Sequence, residues 1–142
     1  MKRYQVVLDT NVIVTALRSK LGASYKLLSL LGSARFEINL SVPIVLEYED
    51  AAKRLIGDSR LNEPDIDAVI DYLCSVAHLR EIHFLWRPFL KDPKDDMVLE
   101  LAVASQCDYI VTYNSSDYQG IHQFGIQTIT SRDFLELIGE LS

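Results

Sequence analysis

Residues 4–17 read YQVVLDTNVIVTAL, and the order of residue types in this stretch decides the fold. Gln5 to Leu8 forms an apolar, β-branched run of strand length that stops at Asp9. From Val12 to about Ser19 the apolar residues recur at helical spacing. A strand that hands over to a helix at an acid places that acid at the strand's carboxyl end, the edge where open α/β sheets bind ligands. Asp9 also suits the N-cap of the following helix, where a side-chain oxygen satisfies a free backbone N–H. Locally, both readings stand.

Outward from this stretch the same alternation repeats. Ser24 to Leu31 predicts a helix with Leu27, Leu28 and Leu31 on one side, and Phe36 to Leu40 a strand. Ser41 predicts an N-cap with Pro43 in the first turn, opening a helix to about Ile56. Gly57 to Glu63 reads as a loop, and Pro64 opens an amphipathic helix through Ile66, Val69, Ile70 and Leu73. A weaker strand signal lies at Glu81 to Phe84, followed by a loop from Trp86 to Asp96. Met97 to Gln106 predicts a helix that is apolar on nearly all sides and therefore central. Tyr109 to Thr112 and Ile126 to Ile129 are strands, and Ser131 caps a last helix to about Gly139. Strands alternating with helices imply an α/β fold, a mostly parallel sheet of four to five strands flanked by helices on both faces. With no linker or repeat in the chain, residues 1–142 are expected to form a single domain.

Composition narrows the function. The 142 residues are 49% hydrophobic and 24% charged, as in an ordinary globular protein. Lys and Arg total 14 against 20 Asp and Glu, a net charge of −6, which argues against a general electrostatic grip on nucleic acid. An enzyme on nucleic acid whose acids are gathered in a metal site remains compatible. Cys74 and Cys107, both in predicted helices, lack metal or redox spacing, which fits a reduced setting. Lys2 and Arg3 precede an apolar run, but Asp9 and Asn11 interrupt it, so no signal peptide is expected. No stretch has transmembrane length, and a cytoplasmic protein with no membrane partner is expected. His78, His83 and His122 lack zinc-ligand spacing and read as surface or packed residues. Arg18, Lys20, Lys26, Lys53, Arg54 and Arg87 are scattered cations that read as solvated surface or phosphate contacts.

Acids at particular places carry the chemistry. Asp9 ends the first strand, and Asp117 follows the YIVT strand. Glu47 borders the apolar face of its helix, and Asp96 opens the central helix, with Glu100 one turn later. Each has an ordinary explanation: a solvated flank for Glu47, the macrodipole for Asp95 and Asp96, a turn for Asp117. Glu100 has little solvated surface available and calls for a cationic partner. Parallel topology brings strand ends to one edge, where converging carboxylates repel unless a divalent cation lies between them. Oxygen-only donors suit Mg²⁺ or Mn²⁺, and such ions activate water against a phosphodiester.

The segments VVLDTNVIVTAL, SVPIVLEYEDAAKRL, DPKDDMVLELAVASQCDYIVTYNSSDY and TSRDFLELI resemble the successive motifs of PIN-domain proteins. The resemblance is nearest to the bacterial toxin components akin to VapC ribonucleases, and it covers nearly the whole chain. It implies that Asp9, Glu47, Asp96 and Asp117 are the metal-binding and catalytic acids, holding one or two Mg²⁺ or Mn²⁺ ions. Asp95 beside Asp96 leaves the third position open by one residue, and helical phase with Glu100 favours Asp96. The family often has Asp where this chain has Asn114, which leaves Asp117 alone for the fourth position. Asn11 and Thr112 fall at polar supporting positions. The implied function is metal-dependent RNA hydrolysis by a toxin, with an antitoxin protein and a second copy of the chain as partners.

Two other readings compete. A PIN fold with little activity would serve as a binding module, with Phe84, Trp86 and Phe89 as its contact surface. A haloacid-dehalogenase-like phosphatase would use Asp9 as nucleophile, but it expects a second Asp where Asn11 stands.

Overall fold

Val6, Val7 and Leu8 are all buried, as in a strand covered on both faces. A computed structural model describes residues 2–57, 61–85 and 87–141. In chain order it contains β1 (Tyr4–Leu8), α1 (Thr10–Arg18), α2 (Ala23–Ser29), β2 (Phe36–Leu40), α3 (Val42–Lys53) and α4 (Glu63–Val76). These are followed by β3 (His78–Leu79), α5 (Pro93–Ala104), β4 (Tyr109–Val111), β5 (Gln127–Ile129) and α6 (Ser131–Leu137). Two 3-10 turns, Ser115–Tyr118 and Ile121–Phe124, lie between β4 and β5.

The strands form one parallel sheet in the order β3-β2-β1-β4-β5. The order reverses between β1 and β4, so the carboxyl ends of these two strands flank the topological switch point. Val6, Val7 and Leu8 stand opposite Tyr109, Ile110 and Val111. The next residues, Asp9 and Thr112, therefore emerge side by side, and the Asp9 N–H still donates to the Val111 carbonyl at 2.9 Å. Helix α5 packs on β1, β2 and β4, α1 packs on α2 and α3, and α6 packs on α2.

The fold class agrees with the expectation, and several local readings shift. The edge strand is at His78–Leu79, not at residues 81–84, because those two residues continue straight from α4 into pairing with Asn39 and Leu40. Helix α5 begins earlier than Met97, because Asp92 caps it through Lys94 N and Pro93 occupies the first turn. It ends before Cys107, which lies in the connection to β4. Thr130, rather than Ser131, caps α6 by accepting from Asp133 N. Part of the loop expected at Gly57 to Glu63 and the whole of Trp86 lie outside the described residues.

Candidate functional site

Asp9 fills both roles its sequence position allows. Its Oδ1 accepts from Thr10 N at 2.7 Å, capping α1. Its Oδ2 points to the switch point and accepts from Thr112 Oγ1 at 2.8 Å and Tyr118 Oη at 2.9 Å. Asn11 Nδ2 lies 3.4 Å from the same oxygen and 3.3 Å from Thr112 Oγ1. Asn114 contributes its backbone, donating to Thr112 Oγ1 at 3.0 Å. Asp9 is only 7% exposed, and burial raises its carboxyl above the ordinary value, a push that the donors oppose and the Asp117 charge adds to.

On α5 the two neighbouring acids part company. Asp95 turns toward Asp9: its Oδ1 lies 3.3 Å from the Tyr118 hydroxyl. Burial, then the charges of Asp9, Asp117 and Asp92, push its carboxyl up to about 6. Asp96 turns to the other side, where its Oδ1 accepts from Leu90 N at 2.8 Å and Phe89 N at 3.3 Å. It is 1% exposed and is consumed in holding the preceding loop. Glu100, one turn on, binds Arg87 of that same loop through Nε at 3.0 Å and Nη2 at 2.8 Å. The expectation of a cationic partner for Glu100 is met. Asp96 and Glu100 do share a helical face, but that face receives the loop. A rotation of about 100° per residue carries Asp95 to the acids. Of the two neighbours, Asp95 rather than Asp96 faces Asp9.

Asp117 lies in the first 3-10 turn and is exposed. With Asp95, Asp92, Lys91, Ser116 and Phe89 it lines an open cavity of about 410 Å³. Glu47 is joined to the start of α5 by Lys94, with Nζ 3.4 Å from its Oε1. Among the described residues no hydrogen bond connects Glu47 with Asp9, Asp95 or Asp117. The structure thus brings together Asp9, Asp95 and Asp117, pairs Glu47 with Lys94 at the start of α5, and turns Asp96 away.

Tyr118 is the participant the sequence reading missed. It is 2% exposed, and its hydroxyl meets both Asp9 and Asp95. Its place directly after Asp117, as a large aromatic in a polar loop, was the available signal. Lys91 and Lys94 were also passed over. Of the cations considered from the sequence, Lys53 pairs with Glu49 and Glu63, Arg54 with Asp50, and Arg87 with Glu100. Phe84 is 76% exposed, whereas Phe89 packs edge-on against Phe124 with ring centroids 5.4 Å apart.

The PIN domain family model matches residues 5–116, from the first strand into the turn that carries the last acid. The chain belongs to the PIN-domain family. Membership sets aside the phosphatase reading of Asp9. In overall fold this PIN domain is similar to a chain in the crystal structure of VapBC2 from Rickettsia felis bound to a DNA fragment from their promoter. The match has a TM-score of 0.59 at 17% identity, covering 87% of this chain and 98% of the other. No curated protein matches the sequence.

The donor set can be tested against the divalent cation expected from the acids. Among the described residues, no three His, Cys, Asp or Glu side chains converge closely enough to enclose a metal ion. Magnesium, however, is usually held by one or two carboxylates and keeps waters or substrate phosphates in its other positions. Asp9 and Asp95 meeting on one hydroxyl, with Asp117 within electrostatic reach of both, supply such an anionic, all-oxygen set. The residues present fit a hard divalent cation.

Proposed function

We propose that this PIN domain is a divalent-metal-dependent nuclease that hydrolyses RNA, acting in the cytoplasm as the toxin of a toxin–antitoxin pair. The observation that carries the reading is the meeting of Asp9 and Asp95 on the Tyr118 hydroxyl at the β1/β4 switch point, with Asp117 beside them. A catalytic centre is where carboxylates are forced together at the expense of their ionisation. Asp9, Asp95 and Asp117 would hold Mg²⁺ or Mn²⁺, and Glu47 would act from the rim through Lys94. When bound, the ion supplies a polarised water and charge stabilisation on the phosphate oxygens.

The chain's own residues do the rest. Thr112 and Tyr118 aim Asp9 Oδ2, and the α1 cap fixes its other oxygen. Lys91, in the wall of the cavity, offers a cation to the substrate's phosphodiester chain. This compensates locally for a net charge of −6, which gives the surface as a whole no attraction for RNA. The VapBC2 similarity in fold supports an antitoxin as partner, and the family resemblance supports a homodimer of residues 1–142 as one PIN domain.

Calorimetric titration with Mn²⁺, followed by cleavage of a fluorogenic RNA, tests the proposal on the wild type and Asp9→Asn. Binding and cleavage by the wild type, both lost in a folded Asp9→Asn, are expected. Undiminished cleavage by the variant, or cleavage that survives EDTA, would overturn it.

A further inference from the structure

We propose that Tyr118 is a positioning residue for the metal-binding acids, its hydroxyl setting the spacing of Asp9 and Asp95 that a cation meets. The inference rests on the metal site proposed above. Three separate pieces of the chain supply the acids: the end of β1, the first turn of α5 and the 3-10 turn after β4. Side chains on separate elements hold a mutual geometry only if something ties them, and like charges drive these apart. Tyr118 is the tie. Its ring is buried, and its hydroxyl reaches Asp9 Oδ2 at 2.9 Å and Asp95 Oδ1 at 3.3 Å. The backbone on its N-terminal side carries Asp117, so burial of the ring also anchors that acid.

The single phenolic proton faces two carboxylates. It is shared between them, with the shorter arm to Asp9 and the longer, weaker arm to Asp95. Asp9 has a further donor in Thr112, whereas Tyr118 links it to Asp95. Removing the hydroxyl should leave Asp9 oriented and release Asp95.

The test uses the full chain and Mn²⁺ alone. Tyr118→Phe keeps the buried ring and loses the link; Tyr48→Phe is the control. Tyr48 is also a buried tyrosine, and its hydroxyl donates to the Leu8 carbonyl rather than to an acid. Groups that orient metal ligands typically change affinity about 10- to 100-fold when lost. Calorimetry should show Mn²⁺ binding at least about tenfold weaker in Tyr118→Phe and within about twofold of wild type in Tyr48→Phe. Melting in EDTA reports whether each variant is folded before metal is added. Unaltered affinity in Tyr118→Phe, or equal weakening in both variants, overturns the inference alone. Absence of Mn²⁺ binding by the wild type overturns the metal site and this inference with it.

Discussion

Replacing Asp95 by Asn should make the metal-free protein more stable while impairing the site. In the unfolded chain the Asp95 carboxyl has the ordinary value of 3.8, and in the fold it is pushed up to about 6. Below about pH 4 it is protonated in both states and contributes nothing. Between these values the folded state keeps a proton that the unfolded chain has released, so stability falls as pH rises through this window. Above about pH 6 the full penalty is present. At about 1.4 kcal/mol per pH unit the gross penalty is about 3 kcal/mol. Asp95 is only half-buried, and solvent and salt screening reduce this to about 1 kcal/mol. The Asn side chain keeps an acceptor for the Tyr118 hydroxyl through its amide oxygen and carries no charge. For a chain of this length about 1 kcal/mol corresponds to a rise in Tm of about 3–4 °C. Thermal melts in EDTA should show that rise at pH 7.5 and none at pH 4. With Mn²⁺ added, the wild type should gain more than the variant, because only the stronger binder is stabilised by mass action. A variant less stable than wild type at pH 7.5 in EDTA, or with wild-type Mn²⁺ affinity, would refute the placement of Asp95 among the acids.

Asp96→Ala should have the opposite character. Loss of its carboxylate strands the Phe89 and Leu90 N–H groups, costing about 2–3 kcal/mol in urea unfolding, with less effect on Mn²⁺ affinity than Asp95→Asn. Lost Mn²⁺ binding at unchanged stability would make Asp96 a ligand instead. Arg87→Ala removes the bidentate partner of Glu100, which is 2% exposed, and should cost about 2–3 kcal/mol at pH 7. Unchanged stability in that variant would show that the ion pair does not hold the loop to α5.

Features set by near neighbours in the chain were legible in the sequence. Strand β2 has the bounds expected from its alternation, and the apolar run before Asp9 is the central strand. Glu100 on an apolar helix did signal a buried ion pair. The difficulty begins where two elements must be oriented toward each other. Helical phase correctly grouped Asp96 with Glu100, yet phase says nothing about which neighbour that face meets. Whether it met the other acids or the loop at residues 87–90 depended on how α5 is rotated against the sheet. Tyr118 posed the same problem, since its partners Asp9 and Asp95 are 109 and 23 residues away.

By itself, then, the sequence determined the parallel α/β architecture and the carboxylates at strand ends, because hydrophobic periodicity and capping act between near neighbours in the chain. The tertiary structure alone decided that Asp95 rather than Asp96 faces Asp9, that Glu47 is joined to α5 by Lys94, and that Tyr118 bridges two acids. These are contacts between distant segments. Their geometry follows from packing and from the rotation of each helix about its own axis, which no local pattern records.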